Sequence, residues 1–229
     1  MKTLGLIGGT SWLSTIEYYR LLNQQVNARL GGNETARCLL HSFNYAEIVG
    51  LSGARDWDGV LAKMTNAAAG LRASGAEAIV MCANTMHVIA DRLQERLDVP
   101  LIHIADATAR ELQRAGHTKT ALLGTRFTME MDFFKNRLAR YGIETIVPND
   151  DEREVVHRSI FEELGKNIFR DETKAWYLGL IESLAGRGAQ GVILGCTEIP
   201  LIITQSDTSV PVLDTTAVHV DAAVKFALD

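Results

Sequence analysis

The sequence predicts an α/β protein built from two similar halves. Short apolar runs alternate along the chain with longer amphipathic stretches, which is the pattern of parallel strands covered by helices. The stretch GAEAIVMCANTMH at 75–87 is written a second time as GAQGVILGCTEIP at 188–200. Two further pairs of segments resemble each other, namely 6–19 with 122–134 and 99–109 with 210–220. These repeats predict two α/β subdomains with parallel-rich sheets, related by a pseudo-twofold axis, with an active site in the cleft between them.

Each element follows from a local pattern. Eight short apolar runs predict strands, and they are TLGLIGG, ARCLLHS, EAIVMC, PLIHI, KTALLGT, ETIVP, GVILGC and VPVLD. Amphipathic stretches predict long helices that begin near residues 11, 56 and 172, and further helices over 86–97, 129–142 and 198–203. Ser14 and Glu17 have the spacing of a capping box. The last helix is expected to pack on the first half, so the predicted subdomains are 1–99 with 214–229, and 100–213.

Composition and charge exclude several classes of function. The chain has 229 residues and a formal net charge of −5, without a basic run, so a nucleic-acid partner is not expected. No apolar run reaches the length of a membrane span. The three cysteines form no CxxC pair, which argues against a disulfide scaffold and favours a cytoplasmic location. The histidines show no HxH or HxxxH spacing, so no metal is predicted, and no lysine has a recognisable pyridoxal-phosphate setting.

Polar residues follow four of the predicted strands. Ligands of open α/β sheets bind at the carboxyl ends of the strands, and a helix N-terminus there suits a carboxylate. The alternative is that these residues only cap helices. The four predicted strand ends are Gly8–Ser11, Cys82–Thr85, Gly124–Thr128 and Gly195–Glu198.

Cys196 is the strongest single indication of chemistry. A thiol at the end of a buried strand, before a helix, is expected to have its thiolate stabilised by the helix dipole and nearby N–H groups. Glu198, two residues later, is placed to assist proton transfer. When the repeats are aligned without a gap, Ala83 falls opposite Cys196 and Cys82 falls opposite Gly195. Because strand side chains alternate, Cys82 is expected to point away from any ligand that Ala83 faces.

Five segments together resemble the aspartate/glutamate racemase family over essentially the whole chain. They are GLIGGTSWLSTIEYYRLLN, LLHSFNYAEI, CANTMH, LLGTRFTMEMDFF and GVILGCTEIPLII. The resemblance implies a cofactor-independent enzyme, usually dimeric, that holds a small amino acid between its halves. It also implies two thiols on opposite faces of the substrate Cα. The first thiol of the family stands directly before NT, where this chain has Ala83, whereas Cys196 matches the second.

The resemblance also implies roles for further residues. Asn84, Thr85 and Thr197 would hold the α-carboxylate or orient the amino acid, and Glu198 would flank the base. Lys166 would meet the distal carboxylate of the substrate, although a solvated lysine at a helix end is an equal alternative. The remaining implied residues are Thr10 and Ser11 in the first turn, Thr128 in the matching second turn, and Ser52 in a loop expected to cover the cleft. Asn44 stands where many relatives have aspartate.

Three functions stay open at this point. The first is racemisation of aspartate, glutamate or a similar small amino acid, with Cys196 as the competent base and a slow or direction-biased reaction because of Ala83. The second is a single-thiol decarboxylase of small malonates that protonates an enediolate from Cys196. The third is a non-catalytic amino-acid binder. A homodimer is expected from the resemblance alone.

Overall fold

The structure is a computed structural model that describes residues 1–229. The chain forms two compact units, Met1–His103 with His219–Asp229 and Ile104–Val218. Each unit contains one sheet whose strands are all parallel, so the predicted α/β class is confirmed. No helix combines the length and the apolar character that crossing a bilayer requires.

The first unit is built around a three-stranded sheet. Its elements are β1 (Leu4–Gly8), α1 (Trp12–Leu30), β2 (Cys38–Ser42), α2 (Tyr45–Gly53), α3 (Trp57–Ala73), β3 (Ala78–Met81), a 3₁₀ helix (Thr85–Ile89), α4 (Ala90–Gln94) and most of α10 (Thr215–Leu228). The strand order is β2-β1-β3. Helices α1 and α10 pack on one face of this sheet, and α2 and α3 pack on the other.

The second unit is built around a four-stranded sheet. Its elements are α5 (Ile104–Arg114), β4 (Lys119–Gly124), α6 (Arg126–Glu130), α7 (Asp132–Ala139), β5 (Glu144–Ile146), α8 (Asp150–Glu162), a 3₁₀ helix (Leu164–Lys166), α9 (Asp171–Gly186), β6 (Val192–Gly195), 3₁₀ helices (Ile199–Leu201 and Gln205–Asp207) and β7 (Val212–Asp214). The strand order is β5-β4-β6-β7. Helices α5 and α7 cover one face of the sheet, and α8 and α9 cover the other.

The two sheets share one register, as the repeats predict. In the first sheet Ile7 pairs with Met81, and in the second Leu123 pairs with Leu194. Met81 and Leu194 occupy the same place in the gap-free alignment of the repeats. Residues that follow them at equal distances, including Ala83 and Cys196, therefore leave their sheets at equivalent positions.

Several predicted elements are wrong in detail. The run PLIHI is not a strand, because only Leu101 bridges to Ile79 before α5 begins at Ile104. The helix predicted over 129–142 starts earlier and is broken at Met131, whose ψ of 152° is extended. The helix predicted over 86–97 is a 3₁₀ turn followed by the short α4, and the helix predicted over 198–203 contains only the 3₁₀ turn Ile199–Leu201.

The prediction of a capping box at Ser14 and Glu17 is also wrong. The N-cap of α1 is Ser11, whose side chain accepts a hydrogen bond from the Ser14 backbone N–H. Ser14 lies one turn inside the helix and directs its hydroxyl to the carbonyl of Cys82. The spacing of Ser14 and Glu17 therefore does not mark the helix start.

A buried histidine makes the first unit sensitive to acid. His219 is fully buried, and this burial lowers its pKa to about 4. Between about pH 6.5 and about pH 4 the unfolded chain binds a proton that the folded chain rejects. We expect the free energy of unfolding to fall by roughly 3 kcal/mol as pH is lowered through this range. Denaturant titrations at several pH values measure the loss, and His219→Gln should reduce its pH dependence; an unchanged pH dependence would contradict the assignment.

Candidate active site

The turn after β1 offers a polar group without a protein partner. Thr10 is 9% exposed, and its hydroxyl forms no hydrogen bond. The turn is tight because Gly9 has a φ of 75° and a Cβ there would lie 2.2 Å from the carbonyl oxygen of Phe43. Ser11 then caps α1, a helix of 19 residues whose first N–H groups point toward this turn. This end of β1 is therefore suited to an anionic ligand.

The end of the neighbouring strand β3 presents Ala83, not Cys82. The Cys82 side chain is fully buried in the apolar cluster that contains Leu6 and Tyr18. Ala83 packs instead against the cluster of Met81 and Met86, on the other face of the sheet. Burial raises the pKa of the Cys82 thiol strongly, so it behaves as a small apolar side chain.

Cys196, Thr197 and Glu198 form a compact hydrogen-bonded group at the end of β6. All three are at least nine-tenths buried. The Cys196 thiol donates to Oε2 of Glu198 at 2.7 Å, and the Thr197 hydroxyl donates to the same oxygen at 2.8 Å. One carboxylate oxygen therefore accepts from a thiol and a hydroxyl at once.

The expectation that Cys196 rests as a dipole-stabilised thiolate is wrong. Burial, then the charge of Glu198 and its hydrogen bond, raise the pKa of Cys196 well above its usual value, against smaller opposing effects of two backbone N–H groups. The following helix is a 3₁₀ turn of three residues, Ile199–Leu201, which carries little dipole. The resting group is therefore a thiol hydrogen-bonded to a carboxylate.

The position opposite Cys82 in the second unit has no room for a side chain. A Cβ on Gly195 would lie 2.7 Å from the carbonyl oxygen of Leu123, and one on Gly124 would lie 2.7 Å from that of Gly195. Thr128, which is fully buried, also lies against these two glycines. The second unit can therefore carry its thiol only one residue later, at Cys196.

Other residues singled out in the sequence lie elsewhere. Ser52 is not in a loop: it lies in the last turn of α2, where it is buried and donates to the carbonyl of Val49 at 3.3 Å. Lys166 is an exposed residue of the 3₁₀ turn after α8. Asn44 caps α2 by accepting from the N–H of Ala46. No cluster of three or more His, Cys, Asp or Glu side chains is arranged to hold a metal ion.

Comparison with known proteins identifies the family. The model of the family described as Asp/Glu/hydantoin racemase matches residues 7–223, which is nearly the whole chain. The chain belongs to this racemase family. Its enzymes are isomerases, and the two-sheet α/β fold described above is that of the racemase structures to which the chain is similar.

Solved structures and a curated relative agree with this membership. A candidate Asp/Glu racemase from Yersinia pestis is 48% identical, with full coverage of both chains and a TM-score of 0.95. An aspartate racemase homologue from Pyrococcus horikoshii OT3 is 38% identical, again with full coverage of both chains and a TM-score of 0.90. The broad specificity amino-acid racemase RacX of Bacillus subtilis is 25% identical over 162 residues, which is 71% of this chain and 70% of that protein.

Two residues of this racemase-family chain form hydrogen bonds with the backbone after β3, and the sequence did not predict these contacts. Ser14 donates to the carbonyl of Cys82 at 2.6 Å, and a ring nitrogen of His87 lies 2.8 Å from the carbonyl of Ala83. Both side chains contact backbone carbonyls and not other side chains, so no sequence motif indicates these hydrogen bonds. The spacing of His87, one turn after Asn84, is the available signal in the sequence, and core packing explains it equally well.

Proposed function

We propose that this chain is a cofactor-independent racemase of aspartate, glutamate or a similar small amino acid. The observation that carries the proposal is the buried hydrogen bond from the Cys196 thiol to Glu198, at a strand end where the family model applies. Abstraction of the weakly acidic Cα proton needs a positioned base. A thiol with an adjacent carboxylate supplies such a base.

The proton transfer follows from the hydrogen bond. Glu198 takes the thiol proton, which leaves a thiolate at Cys196. The thiolate then accepts the proton from Cα, and the electron pair of the broken C–H bond moves into the substrate carboxylate as an enediolate. Return of a proton to Cα completes the exchange. Thr197 donates to the same oxygen of Glu198 and so holds the carboxylate in place for this step.

The opposite face of the substrate has no thiol. Ala83 has no exchangeable proton, and the Cys82 side chain belongs to the apolar core. Water must therefore deliver or remove the proton on that face, which makes racemisation slow or biased toward one direction. We therefore propose one strong acid–base group, Cys196, and no equivalent group at Ala83.

The strand ends of the first unit are proposed to hold the substrate carboxylate. The Thr10 hydroxyl has no protein partner, and Ser11 opens a long helix whose N-terminal groups favour an anion. Asn84 and Thr85 follow the adjacent strand, which is paired with β1. We assign the remaining contacts to Thr197, Thr128 and Lys166, with Lys166 meeting the distal carboxylate.

Chiral chromatography tests the proposal. Wild-type protein is incubated separately with the L and D forms of aspartate and of glutamate, and with a panel of smaller amino acids. We expect slow appearance of the opposite enantiomer from at least one acidic amino acid, without added cofactor. No inversion of any amino acid, with binding retained in a calorimetric titration, would favour a binding protein and contradict the enzyme.

A single-thiol decarboxylase of small malonates is the second candidate. It is favoured by one observation, the absence of a proton-bearing side chain at Ala83. Such an enzyme needs one thiol to protonate an enediolate after carbon dioxide leaves. Release of carbon dioxide from an α-substituted malonate, without inversion of any amino acid, would select this reaction.

We also propose a homodimer formed through α1. Three large side chains on one stripe of this helix, Trp12, Ile16 and Tyr19, are 62%, 55% and 55% exposed although the opposite face is packed in the core. Burying this stripe against its own copy along a helix of roughly 28 Å gives the start of an interface of about 800 Å² per partner. Sedimentation equilibrium should show a dimer that Trp12→Glu dissociates, whereas a monomeric wild type would contradict the proposal.

A further inference from the structure

His87 makes a specific contact beneath the first strand end. Its side chain is 2% exposed, and its Nδ1 lies 2.8 Å from the carbonyl oxygen of Ala83. A carbonyl only accepts, so Nδ1 carries the proton and donates it. The His87 backbone N–H also donates to the carbonyl of Asn84 at 3.0 Å. One residue therefore binds two successive carbonyls of the turn that presents Ala83 and Asn84.

The imidazole of His87 is itself held by two other rings. The ring of His103 lies 4.8 Å from it and that of His219 lies 5.5 Å from it, both measured between centroids. His219 is fixed at both nitrogens, by the Ile102 carbonyl at 2.7 Å and the Tyr18 hydroxyl at 2.7 Å. Burial and the two neighbouring histidines lower the pKa of His87, so the ring is neutral.

The second unit does not use this arrangement. The residue equivalent to His87 in the gap-free alignment is Pro200, which lies in the 3₁₀ turn after Glu198. Proline has no side-chain donor, and there the strand end is instead tied by the contacts of Glu198 with Cys196 and Thr197. At the first strand end, His87 and Ser14 contact the backbone directly.

We propose that His87 is a positioning residue of the amino-acid site. By donating to the Ala83 carbonyl, it sets the orientation of the peptide that joins Ala83 to Asn84, and so the direction of the Asn84 side chain and the N–H of Thr85. A buried imidazole used only for packing would be replaceable by an apolar side chain of similar size. The expected effect on the rate of Cα proton transfer rests on the proposed function. The expected effect on the orientation of the Ala83–Asn84 peptide does not.

Two substitutions of similar size separate positioning from packing. His87→Leu keeps apolar volume and removes the donor, whereas His87→Asn keeps an N–H donor close to the place of Nδ1. We expect His87→Leu to lower the rate of Cα proton transfer about 100-fold, because misplacement of a site by about 1 Å has such an effect. His87→Asn should recover most of that rate, to within about tenfold of wild type, even if both variants melt at equally reduced temperatures. The proposal would be overturned if activity in the two variants followed their melting temperatures and did not depend on whether an N–H donor is present.

Nuclear magnetic resonance provides a readout that does not need activity. The backbone ¹⁵N of Asn84 belongs to the peptide whose carbonyl accepts from His87, so its chemical shift reports this hydrogen bond. We expect the shift to move in His87→Leu and to stay near the wild-type value in His87→Asn. An unmoved signal in His87→Leu would refute the positioning role. If only the proposed function is wrong, wild-type protein will show no proton transfer at Cα, but the Asn84 ¹⁵N shift will still move in His87→Leu and stay in place in His87→Asn.

Discussion

Replacing Cys196 with alanine should abolish proton transfer at Cα from both enantiomers of the substrate. Removal of a positioned general base typically lowers a rate by about 10²–10⁴-fold. The other thiol near a strand end, Cys82, is buried in the apolar core and cannot compensate. Chiral chromatography of reactions run with equal concentrations of wild-type and variant protein measures the loss. Because Cys196 is buried in an apolar cluster, its replacement also removes some packing, so folding is verified by a melting curve.

Cys82→Ala is the matched control for this substitution. Both thiols are buried, but Cys82 lies in the apolar cluster with Leu6 and Tyr18, on the face of the sheet opposite that on which Ala83 packs. We expect nearly unchanged activity and a loss of packing stability of about 1 kcal/mol or more. A Cys82→Ala protein as inactive as Cys196→Ala would show that Cys82 acts on the substrate, which the described backbone does not allow.

Glu198→Gln should have the second-largest effect. The amide can still accept a hydrogen bond from the Cys196 thiol, but it is too weak a base to take the proton. We expect the rate to fall by about 10²–10³-fold. The same change removes the charge that helps to raise the pKa of Cys196, so the thiol should ionise at lower pH than in wild type.

The two consequences are measured separately. Activity is followed by chiral chromatography, and thiol ionisation by the pH dependence of alkylation in a background that carries Cys38→Ser and Cys82→Ala. Thr197→Val is the comparison variant: it removes one donor to Glu198 but keeps the basic carboxylate, so it should lower the rate less than Glu198→Gln does. Full activity in Glu198→Gln would show that Cys196 loses its proton without the carboxylate, and the proposed route would be wrong.

The sequence predicted the sheets better than the helices. Apolar runs buried on both faces, such as those of β1 and β6, are unambiguous because both faces of a parallel sheet are covered. The repeat also predicted the equivalence of Ala83 and Cys196, since a gap-free alignment preserves strand register. Helix boundaries failed at Met131, where polar and apolar residues alternate, and after Thr197, where the run EIPLII is apolar except for Glu198 and contains Pro200. Neither pattern distinguishes an α-helix from a shorter turn.

The electrostatic setting of the thiol could not be predicted from the motif. The order Cys-Thr-Glu places Glu198 near Cys196 in sequence, but whether the carboxylate turns toward the sulfur depends on the turn that follows β6. A long helix there would have lowered the pKa of the thiol, whereas a 3₁₀ turn with an inward carboxylate raises it. The contact of the Ser14 hydroxyl with the backbone carbonyl of Cys82 also depends on how the chain folds. Because every residue has a backbone carbonyl, the residue types at these positions do not indicate the contact.

Deuterium incorporation at Cα tests the central claim most directly. L-aspartate and D-aspartate, and in parallel the two forms of glutamate, are incubated with wild-type protein in D₂O and followed by proton magnetic resonance. The account predicts loss of the Cα proton signal, faster from one enantiomer than from the other because only Cys196 provides a thiol, and no loss with Cys196→Ala. Retention of the Cα proton in both enantiomers of every amino acid tested, with the protein folded, would contradict it.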